Sequence, residues 1–347
     1  MNAAVSASGA SSEAPGSDLA ILVNANAKRG GRRVAAQITR HLPGADVRLT
    51  HTPEEIDTWL ASLSSPRCIF AAGGDGTAVA LINALNRTTP ADKPLPLIGL
   101  LPLGTGNAWS HVTGARKLGI AIEILRNLPK KLPWRRFGLV ECEGVLSHFA
   151  GSGWDAEIVE DYKRQVALAG GLSTRLTKSA YGYITSALLR TTPKTIAAGR
   201  PHVVIENLGD EAFTIAASGR LVKLSNQHPG AVLYEGISSV SGAATCPEFG
   251  ARFRAYPFAE RLPGFINLRL YNQSAIQAVL FAPTMWRGAH PLRGMHDWFV
   301  RAARFTFSRP VAVQIAGDAW GLRKTIEYRC SPRTVDILDW KRLDAAA

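Results

Sequence analysis

The sequence predicts an α/β domain followed by a mostly β, sandwich-like domain. Three observations carry this. Short apolar strands alternate with amphipathic helices over residues 19–133. After Pro129 and Pro133 the apolar period changes from about 3.6 to about 2 residues. The polar glycine turns of the first part all fall at the carboxyl ends of predicted strands, as in a doubly wound sheet. The expected organisation is a disordered extension over 1–18, the α/β domain over 19–133 and the β domain over 134–324. The tail 325–347 packs back on the first domain.

The elements follow in order. Leu19–Asn24 is an apolar strand that stops at the turn Asn24-Ala25-Asn26-Ala27-Lys28-Arg29-Gly30-Gly31. Val34, Ile38 and Leu42 share one face of the next helix. Val47 and Leu49 mark a strand ending at Thr50-His51, and Thr52-Pro53-Glu54-Glu55 reads as a capping box with proline at the first helical position. Ile69–Ala72 is a buried strand, followed by Gly73-Gly74-Asp75-Gly76-Thr77 and a helix through Ala78, Leu81, Ile82 and Leu85. Leu95–Leu101 is a further strand, ending in Pro102-Leu103-Gly104-Thr105-Gly106-Asn107. Phe137–Cys142, Glu143-Gly144 and Val145–Ala150 form a hairpin. Residues 158–191 read as helical, with Val159, Tyr162, Val166, Tyr181, Ile184 and Leu188 as core, and short strands and turns dominate Pro201–Ile315.

Composition narrows the class. The 347 residues are 46% hydrophobic and 19% charged, as in a soluble globular protein. No apolar run reaches the roughly 20 residues of a membrane span. Residues 1–18 lack Lys and Arg and have no apolar signal core. Cys68, Cys142, Cys246 and Cys330 are isolated from one another, so a reducing cytoplasm is expected and no metal or redox site. The net charge of +13 points to an anionic partner: a phosphorylated substrate, a membrane surface or nucleic acid. No block of Lys/Arg and no nucleic-acid motif is present, so a specific nucleic-acid partner is not expected.

Several chemistries are excluded by inspection. There is no Gly-x-x-x-x-Gly-Lys-Ser/Thr loop, no protein-kinase catalytic loop, no Gly-x-Gly-x-x-Gly fingerprint and no Gly-x-Ser-x-Gly elbow. His290 and His296 are badly spaced for one metal. What remains is phosphoryl transfer, which needs phosphate cradles, a divalent cation and a group that positions or deprotonates the attacking hydroxyl. Gly73–Thr77 and Gly104–Asn107 supply candidate cradles, because glycine backbones approach phosphate closely and a helix N-terminus favours an anion. Asp75 is the carboxylate among them.

These residues resemble a family. Gly73-Gly74-Asp75-Gly76-Thr77 with Pro102-Leu103-Gly104-Thr105-Gly106-Asn107 downstream is similar to the catalytic domain of the diacylglycerol and sphingosine lipid kinases. Val23–Gly31 resembles the family's opening nucleotide loop, with Ala25 in place of proline, and Thr50 takes its nucleotide-contacting threonine position. Gly151–Val159 resembles the Gly-x-Gly-x-Asp-Ala-x-Val segment that opens its β domain. The first glycine motif is shared with NAD kinases and phosphofructokinases, and the second argues for lipid kinases.

The resemblance implies a nucleotide-binding domain over 19–133, ATP as donor, Mg²⁺ as cofactor and a lipid alcohol bound between two domains. Asn24, Asn26, Thr50, Gly73, Gly74, Asp75, Gly76, Thr77, Ala78, Val79, Gly104, Thr105 and Asn107 would bind nucleotide. The family's base is the Glu of an Asp-Gly-Glu turn; here the matching turn is Ala316-Gly317-Asp318, so Asp318 and Asp75 are the catalytic candidates. Pro263-Gly264-Phe265-Ile266-Asn267 lacks both acids of a turn that holds an accessory metal in many bacterial members. The expected protein is cytoplasmic, peripheral to the membrane, and a candidate homodimer. The alternatives are a non-catalytic nucleotide or lipid module of the same fold, and a soluble metabolite kinase of NAD-kinase type with Asp75 as base. Within 285–309, Met285, Trp286, Arg287, Arg293, Met295, Trp298, Phe299, Arg301, Arg304, Phe305 and Arg309 interleave aromatic and cationic side chains, which suits a lipid interface. The alternative is a half-buried strand whose aromatics face the core.

Overall fold

The computed structural model describes residues 16–25, 31–104, 106–168, 199–216, 218–250, 252–288 and 293–344. Four parallel strands open the chain: β1 (Leu19–Asn24), β2 (Asp46–Thr50), β3 (Cys68–Gly73) and β4 (Ile98–Pro102). They stand in the order β4-β3-β1-β2. The helices between them are α1 (Gly31–His41), α2 (Pro53–Ser62) and α3 (Asp75–Thr88), followed by α4 (Ala108–Thr113) and α5 (Leu118–Leu125). Strand β1 shows why the sheet is covered on both faces. Ala20 and Leu22 pack against Trp59, Leu81 and Ile82 on one side, and Leu19, Ile21 and Val23 against Val34, Ile38 and Ile122 on the other. Such a strand reads as continuously apolar.

The antiparallel half begins with β5 (Trp134–Cys142) and β6 (Val145–Ser147), paired across Glu143 and Gly144 at positive φ. It continues through β7 (Phe149–Gly153), α6 (Trp154–Leu168), β8 (His202–Asn207), β9 (Ala212–Ile215), β10 (Leu221–Lys223), β11 (Val232–Ile237), β12 (Val240–Ala244), β13 (Ile266–Tyr271), α7 (Ala275–Trp286), β14 (Met295–Val300), β15 (Ala302–Ile315) and β16 (Asp318–Leu338). Its core is built from Val140, Ile205, Leu268, Phe305, Val313 and Tyr328. Strand β16 joins the halves, running antiparallel to β15 and β5 and then parallel to β4 at Ile337. Leu338, with Trp340 and Leu343 of α8 (Trp340–Asp344), enters the core beneath β1 and β3.

Four readings need correction or completion. The Thr52 hydroxyl does not cap α2; it bonds to Glu54, and Glu55 accepts instead from the His51 N–H at 2.8 Å. Pro201–Ile315 contains a helix, α7, started by a capping box between Ser274 and Gln277. That Ser-x-x-Gln signature was present in the sequence. Trp298, Phe299 and Phe305 are core residues of β14 and β15, so the aromatic stripe over 295–309 faces inward rather than toward lipid. Of the 158–191 helical reading, α6 reaches Leu168 with Val159 buried. Tyr181, Ile184 and Leu188 lie outside the described residues, as do the Val166 side chain and residues 1–15 of the N-terminal extension.

Candidate active site

Strands β2 and β3 lie on opposite sides of β1, so the strand order reverses at β1. The carboxyl edge at such a reversal is where doubly wound sheets bind ligands. The carboxyl ends of β1, β2, β3 and β4 all lie on that edge, with Asn24 beside Thr50 and Gly73 beside Pro102 in the registers. The Asn24 Nδ2 donates to Thr77 Oγ1 at 3.0 Å, tying the end of β1 to the first turn of α3. The Ala25 N–H donates to the Thr50 carbonyl at 2.9 Å, so Thr50 holds the same corner with its side chain buried.

The two glycine turns are packed onto each other. A Cβ on Gly104 would stand 2.5 Å from the Gly74 Cα, closer than real side chains come, so glycine is required there for the backbones to meet. The Gly73 carbonyl accepts from the Leu103 N–H at 2.8 Å. Asp75 spans the junction: its Oδ1 accepts from the Ala108 N–H at 2.8 Å, and a Cβ on Gly106 would stand 2.6 Å from its Oδ2. The carboxylate that stood alone in the sequence thus caps the helix that follows the second turn. Asn107 sits at φ 55° and donates from Nδ2 to the Gly104 carbonyl at 2.8 Å, while its buried Oδ1 has no partner among the described residues. The Thr77 N–H donates to the Gly74 carbonyl at 3.0 Å, whereas the Asp75 and Gly76 N–H groups precede the first intrahelical acceptor, so the edge presents these two donors to an anion. Closely packed glycine backbones with these donors fit a phosphate chain, and the unpartnered Asn107 oxygen is available to a donor such as a hydroxyl.

Asp318 reaches this edge from the other half. It follows the two-residue turn Ala316-Gly317 that closes β15 onto β16, with Ile315 paired to Asp318. Ala316 lies at φ 51°, a conformation that costs a non-glycine residue about 1–2 kcal/mol. A Cβ on Gly76 would stand 3.4 Å from Asp318 Oδ2, which places that oxygen over the first glycine turn. The other oxygen, Oδ1, is held by Lys163 Nζ at 2.5 Å. Both side chains are about half exposed, so this pair orients the carboxylate more than it stabilises the fold. Asp75 and Asp318 therefore flank one turn.

Sequence reasoning missed Lys163, which lies far from Asp318 in the chain and carries no motif. It also missed Asn83, whose Nδ2 donates to the Leu146 carbonyl and whose Oδ1 accepts from the Leu146 N–H, clamping α3 to β6. His111 of α4 lies 3.3 Å from Glu248 of the antiparallel half. Conversely, the Ala78 side chain is in the core and Val79 packs against it, so neither side chain lines the edge. Asn26 and Thr105 lie outside the described residues. Among the described residues no group of three or more His, Cys, Asp or Glu side chains is placed to hold a metal. Mg²⁺ bound with a nucleotide takes only one or two protein carboxylates beside the phosphates; of the two candidates Asp318 is exposed at the turn, whereas Asp75 is buried and holds the Ala108 N–H.

Burial pushes the Asp75 carboxyl up to about 6, against the opposing bonds from Ala108 and Asn107. Asp155, at the start of α6, is pushed up to about 7 by burial, although Gln314 Nε2 donates to it at 2.7 Å. Both groups ionise at lower pH in the unfolded chain, so the folded chain holds more protons in between. Their contribution to stability is full at low pH and is lost as pH rises through about 6 and about 7. Urea midpoints are expected to fall between pH 5 and 7.5 from these groups, by on the order of 1–3 kcal/mol each. Asp155→Asn should flatten the upper part of that slope; an unchanged slope would contradict the assignment.

The architecture is two-part, with a glycine-turn α/β half facing an antiparallel β half. Residues 18–131 match the family model of the diacylglycerol kinase catalytic domain. The fold is similar to that of a Bacillus anthracis str. Sterne protein proposed to be a diacylglycerol kinase, with TM-score 0.60 and 14% identity over 92% of this chain and 96% of that one. A structure described as a diacylglycerol kinase from the same organism aligns over the same shares, with TM-score 0.56 and 12% identity. These identities speak for fold. The eye-specific diacylglycerol kinase of Drosophila melanogaster is 41% identical over 46 residues, 13% of this chain and 3% of that protein's length. Residues 18–131 are thus similar to a diacylglycerol kinase catalytic domain.

Proposed function

We propose that this protein is an ATP-dependent lipid kinase that transfers the γ-phosphoryl group to a hydroxyl of a diacylglycerol-like or sphingoid-like alcohol. The observation that carries the reading is the approach of Asp318 to Gly76: a carboxylate stands over a phosphate-type glycine turn, as in-line transfer to a hydroxyl requires. The turns at 73–77 and 104–107 would hold the phosphates through backbone N–H groups. Asp318 Oδ2 would accept the proton of the attacking hydroxyl while its oxygen bonds to phosphorus and the bond to the β-phosphate oxygen breaks. Lys163 would keep the carboxylate turned toward the turn, and Asp75 would hold the second cradle in register with the first. Mg²⁺ arriving with ATP would neutralise charge on the phosphates.

The test is transfer from γ-labelled ATP to a panel of lipid alcohols in vesicles, beside NAD and glycerol as water-soluble acceptors. Label in the lipid fraction supports the reading. Label confined to a soluble acceptor would replace it with a metabolite kinase. Nucleotide binding with no transfer to any alcohol would replace it with a binding module.

A further inference from the structure

We infer that helix α7 (Ala275–Trp286) is the element that seats this protein on an anionic lipid surface, beside the mouth of the active site. The inference rests on the lipid-kinase reading for its choice of partner, and on three features of the structure for its place.

The first is a reversed apolar stripe. A surface helix ordinarily turns its apolar residues to the core. In α7, Ile276, Leu280 and Pro283 recur at helical spacing and face solvent, with Phe281 beside them. Ile276 is 55% exposed, Leu280 71%, Phe281 39% and Trp286 46%. These are four of the ten large hydrophobic residues exposed in the described chain, gathered on one helix. Such a cluster marks an interaction site. Twelve residues are too few to span a bilayer, so the helix would lie in the interface plane.

The second is charge. The helix contains no acidic residue, Arg287 follows it directly, and the Arg254 side chain packs against Gly288 at the same end. The whole chain carries +13. A second copy would bring the same cations to the same place, whereas an anionic headgroup layer neutralises them.

The third is connection to the site. Trp286 contacts Phe253 with ring centroids 5.3 Å apart; Phe253 leads to Phe249 at 6.4 Å, and Phe249 to the buried Phe149 at 4.1 Å. The turn between Phe249 and Phe253 carries Gly250, where a Cβ would stand 3.1 Å from the Gly106 Cα. One short turn therefore separates the outward helix from the second glycine turn. Seating α7 in the headgroup layer sets the cleft at the lipid surface, where a lipid hydroxyl is presented.

The test uses the full chain with vesicles of phosphatidylcholine plus phosphatidylserine, and of phosphatidylcholine alone, in a sedimentation assay without ATP. Wild type is expected to sediment with the mixed vesicles and much less with phosphatidylcholine alone. The double variant Leu280→Gln/Phe281→Gln is expected to lose at least about tenfold in partition, because two apolar side chains no longer enter the interface. Both positions face solvent, so its thermal midpoint should match wild type. Ile120→Gln, at another exposed apolar position, should bind vesicles as wild type does. Equal partition of the double variant and wild type would overturn the inference. So would a lipid-free dimer of wild type that the double variant abolishes, since that gives the helix to a second copy. The reading of the function is separated by transfer to water-soluble short-chain diacylglycerol and sphingoid alcohols. The absence of transfer to all of them in wild type would sink the kinase reading and leave the vesicle result standing.

Discussion

Asp318→Asn is expected to lower phosphoryl transfer by about 10²–10⁴-fold, the range for loss of a general base, with nucleotide affinity near wild type. The replacement has the same size, so the approach to Gly76 is kept. What it removes is the oxygen that takes the hydroxyl proton. The side chain is 57% exposed, so the fold should not register the change. Asp318→Glu is the informative companion. It lengthens the side chain by one methylene but must fit beside Gly76, where Asp318 already stands at contact distance. It should retain more of the rate than Asp318→Asn, because it keeps a carboxylate to take the proton and loses only what its displacement costs. Single-turnover transfer and equilibrium nucleotide binding, measured together, separate the two effects. Full transfer by Asp318→Asn would remove Asp318 from the chemistry.

The largest loss of stability is expected at Asp297. Arg269 and Asp297 face each other across β13 and β14. The guanidinium donates from Nε to Oδ1 and from Nη2 to Oδ2, each at 2.8 Å, and Nη1 donates to the Ala255 carbonyl. Asn267 adds a donor to Oδ1 at 3.1 Å. The side chains of Arg269 and Asp297 are only 6% and 10% exposed. Asp297→Ala strands a buried guanidinium and should cost about 3–5 kcal/mol, read as a fall in the urea midpoint. Replacing both partners, Arg269→Met with Asp297→Leu, should recover most of it, because the uncompensated charge goes with the pair. A loss below about 1 kcal/mol in Asp297→Ala would show the pair solvated, as exposed pairs are. The turn at 263–267 ends on Asn267, which bonds directly to this pair.

The α/β half was legible because each of its parts is written locally. Continuous apolar runs such as Leu19–Val23 mark strands covered on both faces, and glycine turns mark the strand ends. The two motifs were legible as glycine turns at strand ends. Their mutual packing, and the use of Asp75 as a cap for α4, were not, because both depend on contacts between segments far apart in sequence. Lys163 on Asp318 was hidden for the same reason. The 295–309 stripe misled because alternating arginine and aromatic residues describe a lipid interface and a strand with its aromatics inward equally well. Only the strand's partners decide. Helix α7 was missed despite its capping box, because its outward apolar face gives no amphipathic signal distinguishable from a core segment.

The central claim is that the two glycine turns and Asp318 enclose one phosphate site. A structure with a non-hydrolysable ATP analogue and Mg²⁺ tests it most directly. The account predicts the terminal phosphate against Gly74–Gly76 and Gly104, with Asp318 Oδ2 within about one hydroxyl group's reach of the line of attack on phosphorus. A nucleotide bound away from these turns, or phosphates seated there with Asp318 turned away on Lys163, would contradict it.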